Sequence, residues 1–510
     1  SFLATAQNHR IYGIIKDAIS GEVLIGANIY DTLSLRGTVS SKDGFYSLEL
    51  KSPTSFIIYT YVGYKNRALK LNRINDTLIN IFLTPGKELD EVSISPKKEN
   101  ISVYSISKEQ LVNTAVLGGE PDLMKYLQLL PGIQPGNEGT GNIHVRGGGP
   151  GENLVLLDRV PLYYINHLGG FVSIFNPYII HNASIYTGNF PAEYGGRISS
   201  ALDVTMKDGN VEKIKGEASI GLISSKIAMD GPLKNEKLSF VLSARRTYLD
   251  AFLVPFFKLV SPKASLGYNF YDLNGKINYR MNEKNTFQVS AYFGDDRLSY
   301  KHKDDSELYS MKNIWGNSFI SFQHKSILNS AIQVTNQLIF SRYRLKTTHL
   351  LELDETNDRE KIEDHKFFFS GIRDAGIRSD WLINMSSSWD VKTGLHLFYH
   401  KFAPAVEGDI IHNKGSFFNI RDLESNYYLD NLFYVTDKLD IRGGMRVTAY
   451  KKTEKTWFLT EPRFSTTYRI KENISFISAW SRMYQFVHQL KSTGNTLNPE
   501  IWLPVMENLP

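Results

Sequence analysis

The chain has 510 residues, room for two to four domains of ordinary size, with 42% hydrophobic and 12% aromatic residues. Its net charge is only +5, and no block of five or more like charges occurs, so a nucleic-acid footprint is not supported. Cysteine is absent, which excludes disulfide frameworks, thiolate metal sites and thiol nucleophiles.

The first six residues end in Ala4-Thr5-Ala6, an A-x-A pattern that reads as the remnant of a signal peptide at 1–6; an ordinary strand start is the alternative. Residues 7–85 break into short β-like runs at 10–15, 23–30, 45–50, 56–61 and 77–83, divided by turn pairs such as Ser20-Gly21 and Asp43-Gly44. Many short strands at close spacing predict a β-sandwich of immunoglobulin-like size.

A polar linker follows at 86–104. Within it Leu89, Asp90, Glu91, Val92, Ser93, Ile94 and Ser95 form an extended segment that Pro96 stops. Val92 and Ile94 fall on one side, Glu91 and Ser93 on the other. Such a segment suits addition to a partner's open sheet edge, where main-chain hydrogen bonds supply most of the binding; a plain interdomain strand is the other reading.

Residues 105–211 are Gly-rich and of mixed α+β character. The spacing predicts a helix over 121–130, with Leu123, Tyr126, Leu127 and Leu130 on one face and Pro131-Gly132 as its stop. Strands are expected at 143–146, 154–158 and 183–186. Arg146, Glu193 and Arg197 are charges inside otherwise apolar, glycine-rich segments, and buried charges need partners. Tyr163, Tyr164, Asn166 and His167 make an aromatic–polar cluster suited either to ligand contact or to packing. The glycines at 147–149, 195 and 196 read as tight turns, since no GxxxxGK[ST] is present.

From 212 to 510 the pattern becomes dyadic. Tyr271, Leu273, Gly275, Ile277 and Tyr279 alternate with Asp272, Asn274, Lys276 and Asn278; Ile441, Met445 and Val447 alternate with Asp440, Arg442 and Arg446. These runs reach about 12–15 residues, longer than globular strands and long enough to cross a bilayer when tilted. Short polar turns are expected near 232–236, 282–285, 326–330, 385–388, 437–438 and 471–473. Longer irregular stretches are expected at 294–307, 350–366 and 404–422. Short turns alternating with long loops is the outer-membrane barrel pattern. The longest apolar run, 251–260, is too short for a helical span and carries Lys258.

Catalytic and metal motifs do not stand out. His396 and His400 lie on one strand face roughly 13 Å apart, too far for one metal. Asp295, Asp296, Asp304 and Asp305 with His302 read as solvated loop charge in preference to a cation site. No cofactor, metal or enzymatic activity is expected.

Several motifs together carry a resemblance. The first domain has Gly26-Ala27-Asn28, Asp43-Gly44-Phe45-Tyr46 and Tyr61-Val62-Gly63-Tyr64. The second has Leu130-Pro131-Gly132-Ile133-Gln134, Val145-Arg146-Gly147-Gly148, Leu156-Leu157-Asp158 and Phe190-Pro191-Ala192-Glu193-Tyr194-Gly195-Gly196-Arg197. The third has Glu461-Pro462-Arg463-Phe464 and Arg482-Met483-Tyr484-Gln485. Over nearly its whole length the chain resembles a TonB-dependent outer-membrane receptor of Bacteroidetes type with an N-terminal carboxypeptidase-regulatory-like domain. The resemblance implies a mainly β protein: a periplasmic sandwich, a plug, and an antiparallel transmembrane barrel set in outer-membrane lipid. It implies that residues 89–94 are a TonB box, the strand offered to TonB, and that Arg146, Glu193 and Arg197 help lock plug to barrel. It further implies energised uptake of a siderophore, cobalamin, glycan or peptide, with a surface lipoprotein as a candidate partner. A plugged barrel of a surface or secretion complex, without import, is the alternative. Arg159 stands where the family has glycine. About 12 or 13 strands are expected here against about 22 in the family's barrels, so the chain is expected to be the N-terminal part of a longer one.

Overall fold

In the first domain two sheets face each other. His9–Asp17 pairs antiparallel with Phe45–Leu50 and parallel with Thr77–Leu78 and Ile81–Leu83. In the other sheet Asn28–Asp31 lies between Arg36–Val39 and Ser55–Thr60, and Arg67–Leu71 closes the edge. Alternation sends Ile11, Ile15, Ile29, Tyr46, Leu48, Ile57 and Tyr59 into one shared core. Gly44 ends the Asp43-Gly44 turn with φ +73°, and a Cβ there would sit 2.8 Å from Val23 Cβ. Only glycine closes this turn, which carries Lys42 and Asp43 at its tip.

The computed structural model describes residues 9–52, 54–72, 75–86, 103–112, 121–136, 141–221, 223–234, 236–304, 307–354, 361–409, 414–415, 419–452, 455–471, 474–490 and 501–505. The signal-peptide remnant at 1–6 and the TonB-box segment at 89–95 lie outside the described residues.

The second domain is built on a five-stranded mixed sheet in the order Val160–Pro161, Asn153–Leu157, Ser200–Met206, Ile180–Thr187, Val103–Ser107. The helix expected over 121–130 forms over Leu123–Leu127 only. Asp122 caps it by accepting from Lys125 N, and Leu129 N and Leu130 N bond three residues back, which tightens the last turn. Leu123, Met124 and Leu127 are fully buried on its inner face.

The rest is one antiparallel meander. A main path of 13 strands runs in chain order from Lys215–Ile220 to Ile474–Ser481, and the two-residue strand Lys414–Gly415 pairs off that path with Trp389–Asp409. Its alternation is inverted relative to a soluble core. Asp272, Asn274, Lys276 and Asn278 are buried, whereas Leu273, Ile277 and Tyr279 are exposed. The reason lies inside: the second domain contacts strands from Ser224–Lys234 round to Lys455–Lys471, so the sheet curves around it as a wall around a plug.

The short turns fall where expected, between strands ending at Lys234, Arg280, Ile327, Ser386, Thr436 and Lys471 and those that follow. The three stretches expected to be irregular are largely strand. Asn285–Lys303 runs straight through residue 294, Ile332–Asp354 and Lys361–Ser386 take up much of 350–366, and Trp389–Asp409 extends past 404. The backbone ladder continues where the outward residues turn polar, as at Arg297, Ser299 and Lys301, so the ladder outlives the alternation that reveals it.

Candidate functional site

The chemistry of the molecule concentrates where plug meets wall. Asn153–Leu157 and Val160–Pro161 form a hairpin whose two-residue turn, Asp158-Arg159, has φ of 46° and 67°. Both positive values define the turn that matches strand twist, and a non-glycine residue there costs on the order of 1 kcal/mol. Arg159, in the glycine position, uses its side chain instead. Its guanidinium donates to Asp380 of the wall at 2.6 Å and lies 3.9 Å from Glu193, while its carbonyl accepts from Arg378 at 2.8 Å. Burial opposes its charge, but Asp380, Glu193 and Asp43 outweigh that and hold the guanidinium protonated above its ordinary value. Asp158 accepts from Met206 N at 2.8 Å and Ser290 Oγ at 2.6 Å.

Glu193 is 4% exposed and sits among cations from all three domains: Lys42 of the sandwich at 2.8 Å, Lys392 of the wall at 3.6 Å and Arg159 of the plug. Burial alone would raise its carboxyl; Lys42, Lys392 and Arg159 hold it well below the usual range. The backbone beside it is held by wall arginines. Arg463 donates to Phe190 O at 3.0 Å and Pro191 O at 2.7 Å, and Arg446 to Ala192 O at 3.2 Å. Ala192 N donates to Asp430 at 3.1 Å.

Of the three charges singled out in sequence, Glu193 therefore reaches the wall. Arg197 is buried, bonds Gly196 O at 2.7 Å and lies 5.0 Å from the Trp502 ring. Arg146 is exposed in a turn at φ 48°, and among the described residues it makes no ion pair.

The aromatic–polar cluster is buried to the last member. Tyr163 donates to Asp374 at 2.9 Å, Tyr164 packs edge-on to Trp315, and Asn166 donates to Asn142 at 2.7 Å. His167 stands between two wall carboxylates, Asp272 at 2.8 Å and Asp296 at 2.7 Å, stacked on Phe270 at 4.1 Å. Burial disfavours its charge, yet Asp272 and Asp296 raise it to about 9, so it stands there as a cation. Asp296 is thus a strand residue facing the plug, and Asp295, held by Arg344 at 2.5 Å, is buried too; neither is solvated loop charge. Among the described residues no three His, Asp or Glu side chains gather as a metal cluster. His396 and His400 bond different carboxylates, Asp380 and Asp374.

The sandwich docks on the short-turn rim of the wall. Arg10 donates to Asn384 O at 2.6 Å and Met385 O at 2.8 Å, Ser47 to Ser330 O at 2.6 Å, and Lys325 pairs with Asp43 at 2.7 Å. Tyr12 and Phe45 pack on Ile327 and Leu382. Sequence reasoning did not find this seat, nor Arg159, Arg378, Arg446 and Arg463 as plug fasteners. The available signal was parity: each wall arginine falls on an inward position of its strand.

Residues 11–94 match the model of a CarboxypepD_reg-like domain, and residues 95–201 that of the TonB-dependent Receptor Plug Domain. TonB-dependent receptor SusC of Bacteroides thetaiotaomicron is 27% identical over 225 residues, 40% of this chain and 22% of that protein. TonB-dependent receptor P26 of Formosa agariphila is 31% identical over 106 residues, 19% of this chain and 10% of that protein. The aligned stretches thus span a quarter or less of these relatives. Two solved structures share the fold. The outer membrane transporter YddB from Escherichia coli has a TM-score of 0.54 at 11% identity, covering 75% of this chain and 61% of its own. A mutant of the ferric enterobactin receptor PfeA from Pseudomonas aeruginosa has a TM-score of 0.53 at 13% identity, covering 77% and 64%.

Proposed function

Taking the chain as a TonB-dependent receptor with a carboxypeptidase-regulatory-like domain ahead of its plug, we propose that it resides in the bacterial outer membrane, its sandwich toward the periplasm, and imports a scarce solute when TonB pulls on the plug. Its family is one of receptors and transporters, not enzymes.

The observation that carries this reading is the chemistry of the plug–wall contact. Arg159–Asp380, His167 with Asp272 and Asp296, and Tyr163–Asp374 are polar bonds around a hydrated lumen. Polar partners that part into water recover much of their bonding, so the contact is firm at rest and separable under pulling. Leu89, Asp90, Glu91, Val92, Ser93 and Ile94 are the strand offered to TonB by β-augmentation, and the inner-membrane proton gradient supplies the work. Short turns face the periplasm in outer-membrane barrels, which puts the sandwich docked on them on that side.

Ligand contact falls to the external loops, with Tyr163, Tyr164, Asn166 and His167 holding the plug beneath. The solute is a ferric chelate, cobalamin, glycan or peptide, and a surface lipoprotein over the outer mouth is the partner that would hand it on. The test is deletion of residues 89–95, read with labelled ferric siderophores, cobalamin and oligosaccharides in cells with intact TonB. The expected result is retained surface binding and abolished accumulation of the one ligand that binds. Unchanged accumulation discards the TonB-box assignment, and binding without energised uptake by the intact chain discards import.

A further inference from the structure

The connection between Leu238–Thr247 and Ala264–Arg280, on the long-loop side of the wall, contains the helix Leu249–Val260. None of its residues is buried. Its sequence is apolar almost all round, with Asp250 in the first turn and Lys258 in the last. A helix of that composition belongs in a core or in lipid, yet Phe252 is 63% exposed, Phe256 58%, Leu259 83% and Val260 67%.

The helix is fastened to the outer face of the wall. On Ala264–Arg280 the even positions Asp272, Lys276 and Asn278 point inward, and Leu273, Ile277 and Tyr279 outward. Asn269 and Gly267 share the outward parity. Asn269 donates to Asp250 at 3.2 Å, Arg246 pairs with Asp250 at 3.2 Å, and a Cβ on Gly267 would lie 3.4 Å from Val254. The absence of a side chain at 267 lets the helix lie close against the strand.

Its height can be estimated. Tyr279 lies near the short-turn end, and Gly267 is twelve residues further along the same strand. At about 3.3 Å per residue and a tilt of about 40°, that is roughly 30 Å along the barrel axis, close to the thickness of the hydrocarbon layer. The wall's outward face changes character just below this level. Phe293 and Leu273 are exposed and apolar, and the next outward pair is Tyr271 with Asp295, held by Arg344. The helix therefore lies at the boundary between acyl chains and headgroups, its exposed face continuous with the apolar belt below.

We propose that Leu249–Val260 is an interfacial anchor that beds Phe252, Phe256 and Leu259 into the lipid of the outer leaflet. Its occupant is lipid because the uncovered face adjoins the lipid-facing belt and runs at the depth where amphipathic helices rest in membranes. The anchor fixes how deep the first hairpins of the wall sit and keeps this loop off the mouth. It is independent of what the protein imports.

The chain has no cysteine, so single cysteines at 252, 256 and 259 can carry a nitroxide without background. In the full chain reconstituted in phosphatidylethanolamine–phosphatidylglycerol vesicles, collision with oxygen is compared with collision with a water-soluble nickel chelate. Ile277→Cys and Lys301→Cys supply the lipid and water references. The expected outcome is oxygen collision several-fold above nickel collision at Phe256→Cys and Leu259→Cys, near the Ile277→Cys ratio, with the reverse at Lys301→Cys. Nickel access equal to that at Lys301→Cys would show a helix standing in water and overturn the proposal. Low collision with both reagents would show a protein cover and overturn it too. The three labelled positions are read separately, and all are exposed, so failure of one variant to insert leaves the others to decide.

Discussion

Lys42 Nζ lies 2.8 Å from Glu193 Oε2, joining the sandwich to the plug across 151 residues of chain. The pair sits in a cleft lined also by Asp43, Arg159, Asp380 and Arg442, where sandwich, plug and wall meet. Glu193 is the common acceptor for all three bodies, so its loss is felt more widely than that of any one donor.

Glu193→Gln leaves Lys42, Lys392 and Arg159 around a neutral amide. Breaking a buried charge cluster from its central member costs about 3–5 kcal/mol. Lys42→Ala removes a partner whose side chain is 33% exposed, and the expected loss is about 1 kcal/mol after solvent screening. Thermal unfolding of the detergent-solubilised protein should rank the two in that order, and equal losses would show that Glu193 is not the hub. Because its folded carboxyl is depressed, Glu193 contributes stability above its ordinary value of 4.5, and the contribution disappears as pH falls through the lower folded value.

Arg159→Gly tests a trade between backbone and side chain. Glycine relieves a left-handed turn worth on the order of 1 kcal/mol but forfeits the pair with Asp380, about 3–5 kcal/mol for a buried charge left alone. The net expectation is destabilisation by about 2–4 kcal/mol, with much of the loss recovered when Asp380→Asn is added. A double-mutant cycle in urea measures the coupling, and independent, additive effects would refute it.

His167 gives the plug a dependence on alkaline pH. Its folded value of about 9 exceeds the ordinary 6.5, so the stability it adds is complete below about 6.5 and is lost as pH rises through 9. A shift of that size corresponds to roughly 3 kcal/mol. The difference in unfolding free energy between the parent and His167→Gln should therefore shrink by about that amount between pH 6 and pH 10. A difference that holds constant over that range would mean the imidazole is neutral between Asp272 and Asp296.

Gly44→Ala places a methyl where φ is +73° and Val23 Cβ would be 2.8 Å away. Displacing this turn moves Lys42 and Asp43 off Glu193 and Lys325. The expectation is a loss above 1 kcal/mol and faster hydrogen exchange at Arg10 and Ser47, which bond the rim. Unchanged exchange there would separate the turn from docking.

Much of the wall was legible because lipid outside and a hydrated lumen inside impose strict alternation, as at Asp272 to Tyr279. Legibility ended where that contrast ended. Above Phe293 the outward residues Asp295, Arg297, Ser299 and Lys301 are as polar as the inward ones, so continuing strand reads as loop. The plug's motifs were visible in the glycine turns, and Glu193 was visible as a charge out of place. Its partners were not, since Asp380 is 221 residues from Arg159 and nothing local in either segment names the other. Tyr163 and His167 looked like ligand contacts for the same reason: an aromatic beside a polar group reads alike whether it meets a solute or a carboxylate of the wall.

Every strand of the meander pairs with its sequence neighbours, whereas the plug's bonds to Arg446 and Arg463 span 254 and 273 residues. Local hairpins close at small entropic cost and long separations close late. The residues that leave the ribosome first are therefore the last to find their places, and until residue 463 is inserted the plug is a guest without a house. A periplasmic escort has that interval to cover.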